Sequence, residues 1–193
     1  MRTGPATASG ISGTVIGIVG ASRIGRLVAR MLRSYDVRVL VSDPHVPAHE
    51  IAALGAEPCD LDTLCALADA VSIHVPALPE TRHLIDARRL ALMRDGTLLV
   101  NTARGSLVDT DALTNQCVNG RLDAILDVTE PEPLPPDHPL LHLPNVLVTP
   151  HLAGSRGREL RLLGAHAAAE LERFADGETM RGLVSYQDLP TLA

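Results

Sequence analysis

The sequence predicts an α/β fold, a doubly wound parallel sheet. Short apolar runs rich in β-branched residues alternate with segments of helical periodicity. The runs are continuously apolar, as strands buried on both faces are. Right-handed crossovers between such strands place helices on both sides of the sheet.

The elements follow in order. Thr14–Val19 is a first strand ending at Gly20, and Ile24, Leu27, Val28, Met31 and Leu32 then recur at helical spacing. Val37–Val41 is a second strand, closed by Ser42-Asp43-Pro44. Ala48–Leu54 reads as a short helix and Leu61–Leu67 as another, with Asp60 or Asp62 as its cap. Ala70–Val75 is a strand and Arg88–Met93 a helical turn. Asp95-Gly96 then turns into the strand Thr97–Val100. Asp109–Val118 reads as a helix that stops near Asn119-Gly120. Asp123–Val128 and Asn145–Thr149 are two more strands, separated by a proline-rich loop. Arg158–Ala175 is a long amphipathic helix halted at Asp176-Gly177. The chain carries no internal repeat.

Composition excludes several classes. A net charge of −6 argues against a nucleic-acid partner held by its phosphates. All basic side chains other than histidine are arginine, and the near absence of aromatics argues against base-stacking surfaces. No apolar run approaches the roughly 18 residues of a transmembrane helix, so no membrane partner is expected. Met1–Ser12 reads as a flexible leader without the pattern of a secretory signal, which makes the cytosol the expected compartment. Cys59, Cys65 and Cys117 form neither a disulfide framework nor a zinc pattern and are expected as free thiols. No metal site is expected: His138 and His142 lie in the proline-rich loop, and His45, His49, His83 and His166 read as ordinary structural or surface residues.

The first strand end carries a nucleotide signature. In Gly20-Ala21-Ser22-Arg23-Ile24-Gly25, Gly20 and Gly25 take the first and third glycine positions of the dinucleotide fingerprint. Ser22 stands where the second glycine is expected; it is either merely small enough or offers its hydroxyl to a phosphate. The helix amino terminus supplies free N–H groups for an anion, and Arg23 adds charge. Asp43 ends the second strand 18 residues past Gly25, near the ≈ 20 expected of a ribose-binding acid. A carboxylate there accepts from ribose hydroxyls and repels a 2′-phosphate, so NAD is the expected cofactor rather than NADP. The fold class is thus a Rossmann-type NAD-binding domain.

Further segments lie at later strand ends: His74 to Arg82, Asn101-Thr102-Ala103-Arg104-Gly105 with Val108-Asp109, Asp127 to Pro133, and Thr149 to Ser155. In this order they resemble the successive signatures of the D-isomer-specific 2-hydroxyacid dehydrogenases, with phosphoglycerate dehydrogenase and hydroxypyruvate reductase among the similar types. The resemblance implies an NAD-dependent oxidoreductase that interconverts a small 2-hydroxy acid and its 2-keto acid. It implies that Arg104 binds the substrate carboxylate, His151 is the acid/base and Glu132 pairs with it. The chemistry agrees: a guanidinium grips a carboxylate with two prongs, and imidazole titrates near neutrality. Glu130 is the alternative partner for His151, at a spacing that fits the pattern less well. The resemblance also places Val75, Pro76, Thr102 and Ala103 around the nicotinamide and its ribose, Thr81 on the pyrophosphate side and Asp127 on the nicotinamide amide. Asp127 has a competing reading as a cap or turn residue. Ile24 and Gly154 join the expected cofactor contacts, and His74 lies beside the cleft without a catalytic part. Glu132, where formate-oxidising relatives carry an amide, points towards hydroxy-acid chemistry.

The expected organisation is a dinucleotide-binding domain over residues 10–156, followed by 157–193, a helix and tail resembling the segment that returns to a substrate domain. Most of that substrate domain is expected to be absent, and the resemblance implies a homodimer. A non-catalytic NAD-binding module, acting as a redox sensor or dimerisation unit, is the rival reading. Another nucleotide-binding fold, such as a methyltransferase, would give Arg104, Glu132 and His151 no joint purpose.

Overall fold

The computed structural model describes residues 10–186. Most of the expected leader, and the end of the tail, lie outside them. Seven parallel strands form one sheet in the order β3-β2-β1-β4-β5-β6-β7. They are β1 Val15–Val19, β2 Arg38–Ser42, β3 Glu57–Pro58, β4 Ala70–Ile73, β5 Leu98–Asn101, β6 Asp123–Leu126 and β7 Val146–Val148. The helices are α1 Arg23–Leu32, α2 Ala48–Ala53, α3 Leu61–Leu67, α4 Ala87–Leu92, α5 Thr110–Val118 and α6 Arg158–Ala175. The chain winds outward from β1 to β3, then crosses back past β1 to β4 and winds the other way. The crevice between β1 and β4 at the strands' carboxyl ends is therefore the switch point where such sheets bind ligands.

Aspartates start three helices. Asp60, Asp86 and Asp109 accept from the amides of Thr63, Arg89 and Ala112, which satisfies amides that helix geometry leaves free. Of the two candidate caps for α3, Asp60 is the one used. Asp62 instead takes hydrogen bonds from Arg88 and Arg89, which hold its carboxyl down at about 2.

Two cores lie on opposite faces. One packs Ile18, Val39 and Val41 against Ala29, Ile51 and Leu54, under α1 and α2. The other packs Val71, Ile73, Leu99, Ala124 and Leu126 against Leu64, Leu90, Leu113 and Cys117, under α3, α4 and α5. On the α1 face, Leu98, Val100 and Ile125 are half-buried and join neither core, so no helix layer of the described residues covers β4 to β6 there.

Several expectations need correction. For α1 the sequence pattern leaves open which side faces the core: Gly25 and Ala29 are buried, whereas Ile24, Leu27 and Met31 are more than half exposed. That stripe lies on the flank away from α2, because Arg26 reaches Glu50 of α2 from the other flank. β4 ends at Ile73, two residues short of the expected Val75, where the chain turns into the cleft before Pro76. β6 likewise stops at Leu126, because Asp127 and Val128 enter the loop. β3 was not expected. It is a two-residue edge strand whose Glu57 takes both prongs of Arg38 on β2 (2.9 and 2.6 Å), and an edge tolerates Pro58. α6 has the expected span but no buried residue, and Leu160, Leu163, Leu171 and Phe174 are each more than half exposed. No helix of the described residues is long and apolar enough to cross a membrane, and no metal-ligating cluster occurs among them. The three cysteines are free, and burial pushes the Cys65 and Cys117 thiols up to about 11.

Candidate active site

The loop after β1 is built by steric exclusion. Gly20 has φ of 94°, in the left-handed region, and a Cβ on Gly25 would sit 2.1 Å from the Gly20 carbonyl oxygen. Only glycines allow the strand to fold this tightly into α1. Ser22 caps α1, its hydroxyl oxygen accepting from Gly25 N at 3.3 Å. The hydroxyl proton remains available to an anion. Asp43 closes the loop from the neighbouring strand: Oδ2 accepts from Ala21 N at 2.7 Å and Oδ1 from His45 N at 2.8 Å. The cradle and the acid are thus in contact, as a phosphate and its adjoining ribose require. Arg23 stands exposed at the first position of α1.

Beside this loop opens a cleft of about 310 Å³ between the ends of β1, β4 and β5. Ser22 and Ile24 line one side, Val75 and Pro76 a second, and Thr102, Ala103 and Arg104 a third. Ala77 and Leu78 also line it, which the sequence reading had not singled out. His74 lies at its back, 2.9 Å from the Ser72 hydroxyl, and burial lowers its pKa. The structure does not bring Thr81 into the lining. Its hydroxyl accepts from Leu78 N at 2.8 Å and donates to Pro76 O at 2.7 Å, so it shapes the Pro76–Leu78 wall instead.

Arg104 is presented by a residue to which the sequence pattern assigns no role of its own. Asn101, buried at the end of β5, accepts from Ala103 N (3.0 Å) and donates to Arg104 O (2.8 Å). A single polar residue closing an apolar strand is the signal that could have found it. Gly105 follows because nothing larger fits: its Cβ would lie 2.0 Å from the carbonyl oxygen of Thr129. The loops after β5 and β6 therefore touch backbone to backbone.

The loop after β7 brings His151 against Glu132, with Nδ1 2.7 Å from Oε1. A carboxylate only accepts, so Nδ1 carries the proton and Nε2 is left to exchange one. Glu130 is not the partner; it binds Arg82 at 2.9 Å. His151 has φ of 52°, and Asp127 holds the loop in that conformation. The Asp127 carboxylate, 4 % exposed, accepts from the Thr149 hydroxyl (2.5 Å), Leu152 N (2.7 Å) and Ala153 N (2.8 Å). Burial pushes this carboxyl up, but the three donors and nearby His151 outweigh it and set it below the usual range. The competing turn reading of Asp127 thus describes what its carboxylate does here. Gly154 lies exposed in the same loop and does not line the cleft.

A glycine-built loop of the dinucleotide pattern, an arginine on the lining of the cleft beside it and a carboxylate-paired histidine thus share one edge of one sheet. Residues 2–153 match the NAD binding domain of the D-isomer specific 2-hydroxyacid dehydrogenases. The chain belongs to this family. Its curated relatives include D-3-phosphoglycerate dehydrogenase of Methanocaldococcus jannaschii, 35 % identical over 92 % of this chain and 34 % of its own length. Glyoxylate reductase of Aeropyrum pernix is 42 % identical over 91 % of this chain and 52 % of its own length. Among solved structures, D-mandelate dehydrogenase of Rhodotorula graminis superposes with a TM-score of 0.83 at 32 % identity, over 92 % of this chain and 53 % of that one. The chain thus spans between a third and about half of the length of these relatives, and the part it spans is the family's NAD-binding domain.

Proposed function

We propose that this chain is the cofactor half of an NAD-dependent oxidoreductase that interconverts small 2-hydroxy acids and 2-keto acids. The observation that carries the reading is the His151–Glu132 pair on the same sheet edge as the Arg104 cleft. The loop from Gly20 to Gly25 would hold the pyrophosphate and Asp43 the adjoining ribose. Val75, Pro76, Thr102 and Ala103 would face the nicotinamide. NAD, when bound, supplies or accepts the hydride.

The chain's own residues do the rest. Arg104 grips the substrate carboxylate and polarises the neighbouring carbonyl. His151 donates its Nε2 proton to the keto oxygen during reduction and takes it back during oxidation. Glu132 keeps Nδ1 protonated, so that Nε2 alone cycles, and stabilises the imidazolium between steps. Asp127 serves this chemistry by fixing the loop that carries His151.

The reading extends to the organisation of the protein. Residues 10–156 act as the dinucleotide-binding domain, and 157–193 as a segment that returns to a substrate domain. The apolar faces of α1 and α6 support pairing of two copies or of two lobes. Free thiols and the match to this family support a cytosolic enzyme.

The test is NADH binding and NADH consumption with hydroxypyruvate, glyoxylate, pyruvate and phosphohydroxypyruvate, for the chain and for His151→Ala. Turnover that falls at least about a hundredfold in His151→Ala, with NADH affinity within about threefold, is expected of a lost acid/base. Unchanged turnover overturns the assignment. NADH binding without turnover in the unaltered chain favours the cofactor half acting as a binding module, or awaiting a second lobe.

A further inference from the structure

A second carboxylate in the loop that carries Glu132 has no part in the chemistry above. Glu130 precedes Glu132 by two residues in the loop after β6. Arg82, in the loop after β4, donates from Nη1 to Glu130 Oε1 at 2.9 Å. His83 Nε2 lies 3.6 Å from the other oxygen, Oε2. Both oxygens thus face partners from the same neighbouring loop.

That loop is itself anchored. His83 donates its backbone N–H to Ser106 O at 2.8 Å, and Ile85 bridges to Val108. Gly105, in the Arg104 loop, packs on Thr129. Arg82 and His83 therefore stand on the backbone that carries Arg104 and reach across to the loop that carries Glu132. Arg82 and Glu130 are 55 % and 38 % exposed, and exposed pairs contribute little to stability. The pair ties the chain at Glu130 to the loop after β4. The Arg82 hydrogen bond also holds the Glu130 carboxyl below the usual range, so the clamp persists at neutral pH.

We propose that Arg82 is a positioning residue: by clamping Glu130 it sets the loop so that Glu132 meets Nδ1 of His151. The proposal rests on the reading of His151 and Glu132 as the acid/base pair, and it adds a residue that touches neither. It assigns Arg82 no contact with substrate or cofactor.

The experiment reads the ring directly. Long-range ¹H–¹⁵N correlations on the full chain, above neutrality, report the ratio of Nδ1–H to Nε2–H tautomers of His151. In the unaltered protein Nδ1–H dominates, and Glu132→Gln sets the low limit. Arg82→Gln and Glu130→Gln should each lower the ratio about threefold, the scale of an exposed ion pair. Arg82→Lys, which keeps the charge, should restore most of it. Melting temperature is followed in parallel, and if Arg82→Gln fails to fold, the isosteric Glu130→Gln decides alone. A ratio unchanged in a folded Arg82→Gln or Glu130→Gln, while Glu132→Gln collapses it, overturns the proposal and leaves the acid/base reading standing. A ratio unmoved by Glu132→Gln overturns both together.

Discussion

Two parts of the candidate site, along one edge of the sheet, are held by different physics. At the phosphate end the backbone sets its own shape: Gly20 and Gly25 fold so tightly that added carbon would collide with main chain. At the chemical end the loops are long and are fixed by buried or clamped side chains, namely Asn101 under Arg104, Asp127 under His151 and Arg82 against Glu130. The first kind of constraint is local and leaves a short glycine signature. The second is distributed over residues far apart in the chain. On the proposed function, a cofactor common to many substrates would sit at the rigid end, and substrate chemistry at the end whose side chains can change without rebuilding the strand–helix turn.

The sharpest way to break this comparison is to add one methyl group at each end. Gly25→Ala drives a Cβ into the Gly20 carbonyl, and Gly105→Ala drives one into the Thr129 carbonyl. Both neighbours are backbone, so neither yields easily, and each variant should lose about 2–3 kcal/mol of stability in denaturant titrations. The functional outcomes should separate. Gly25→Ala should lose most NADH affinity. Gly105→Ala should retain NADH binding within about tenfold while its loops after β5 and β6 separate, with loss of the His151–Glu132 contact. Loss of NADH binding in Gly105→Ala alone would show that the two ends are not independent.

Asp127 tests the side-chain end with a titration. Its folded carboxyl lies below the unfolded value, so its contribution is complete above about pH 4 and is lost as pH falls through the lower folded value. Asp127→Ala leaves the amides of Leu152 and Ala153 and the Thr149 hydroxyl without this acceptor. It should cost about 2–3 kcal/mol at neutral pH. It should also flatten the acid limb of the stability curve below about pH 4. Faster amide exchange in 149–153 with no change around Gly20–Gly25 would place the effect at the chemical end. An acid limb identical to that of the unaltered chain would mean that the carboxylate is not what holds the His151 loop.

The same contrast explains what could be read in advance. Both boundaries of α3 and α6 and the parallel winding were legible, because hydrophobic period and aspartate or glycine stops are local signals. The ends of β4 and β6 were overestimated. Val75 and Val128 are as apolar as strand residues, yet the backbone there turns to build the site. In α1 the helical spacing alone does not say which apolar residues face the core, and Ile24, Leu27 and Met31 face away from the one beneath it. Glu132, not Glu130, stands against His151 in the structure, and Arg82 as the other acid's partner was not legible. Nothing in one sequence says that residues 48 apart will meet. Thr81 and Asp127 show that a polar residue near a candidate ligand site also builds the loop around it.

Ser22 is the smallest test and the one that joins both kinds of constraint. It occupies a glycine position in a backbone-built loop, yet its side chain caps α1 by accepting from Gly25 N. Ser22→Gly restores the fingerprint and removes the cap. Glycine is itself a tolerable cap, so stability should fall by only a few tenths of a kcal/mol. NADH affinity should stay within about threefold if closer backbone approach offsets the lost hydroxyl. Calorimetric titration of NADH into both forms measures this. A fall of more than about tenfold would mean that the hydroxyl donates to a phosphate, worth about 1.4 kcal/mol or more. The phosphate end would then depend on a side chain after all, and the division between the two ends would hold only for Gly20, Gly25 and Asp43.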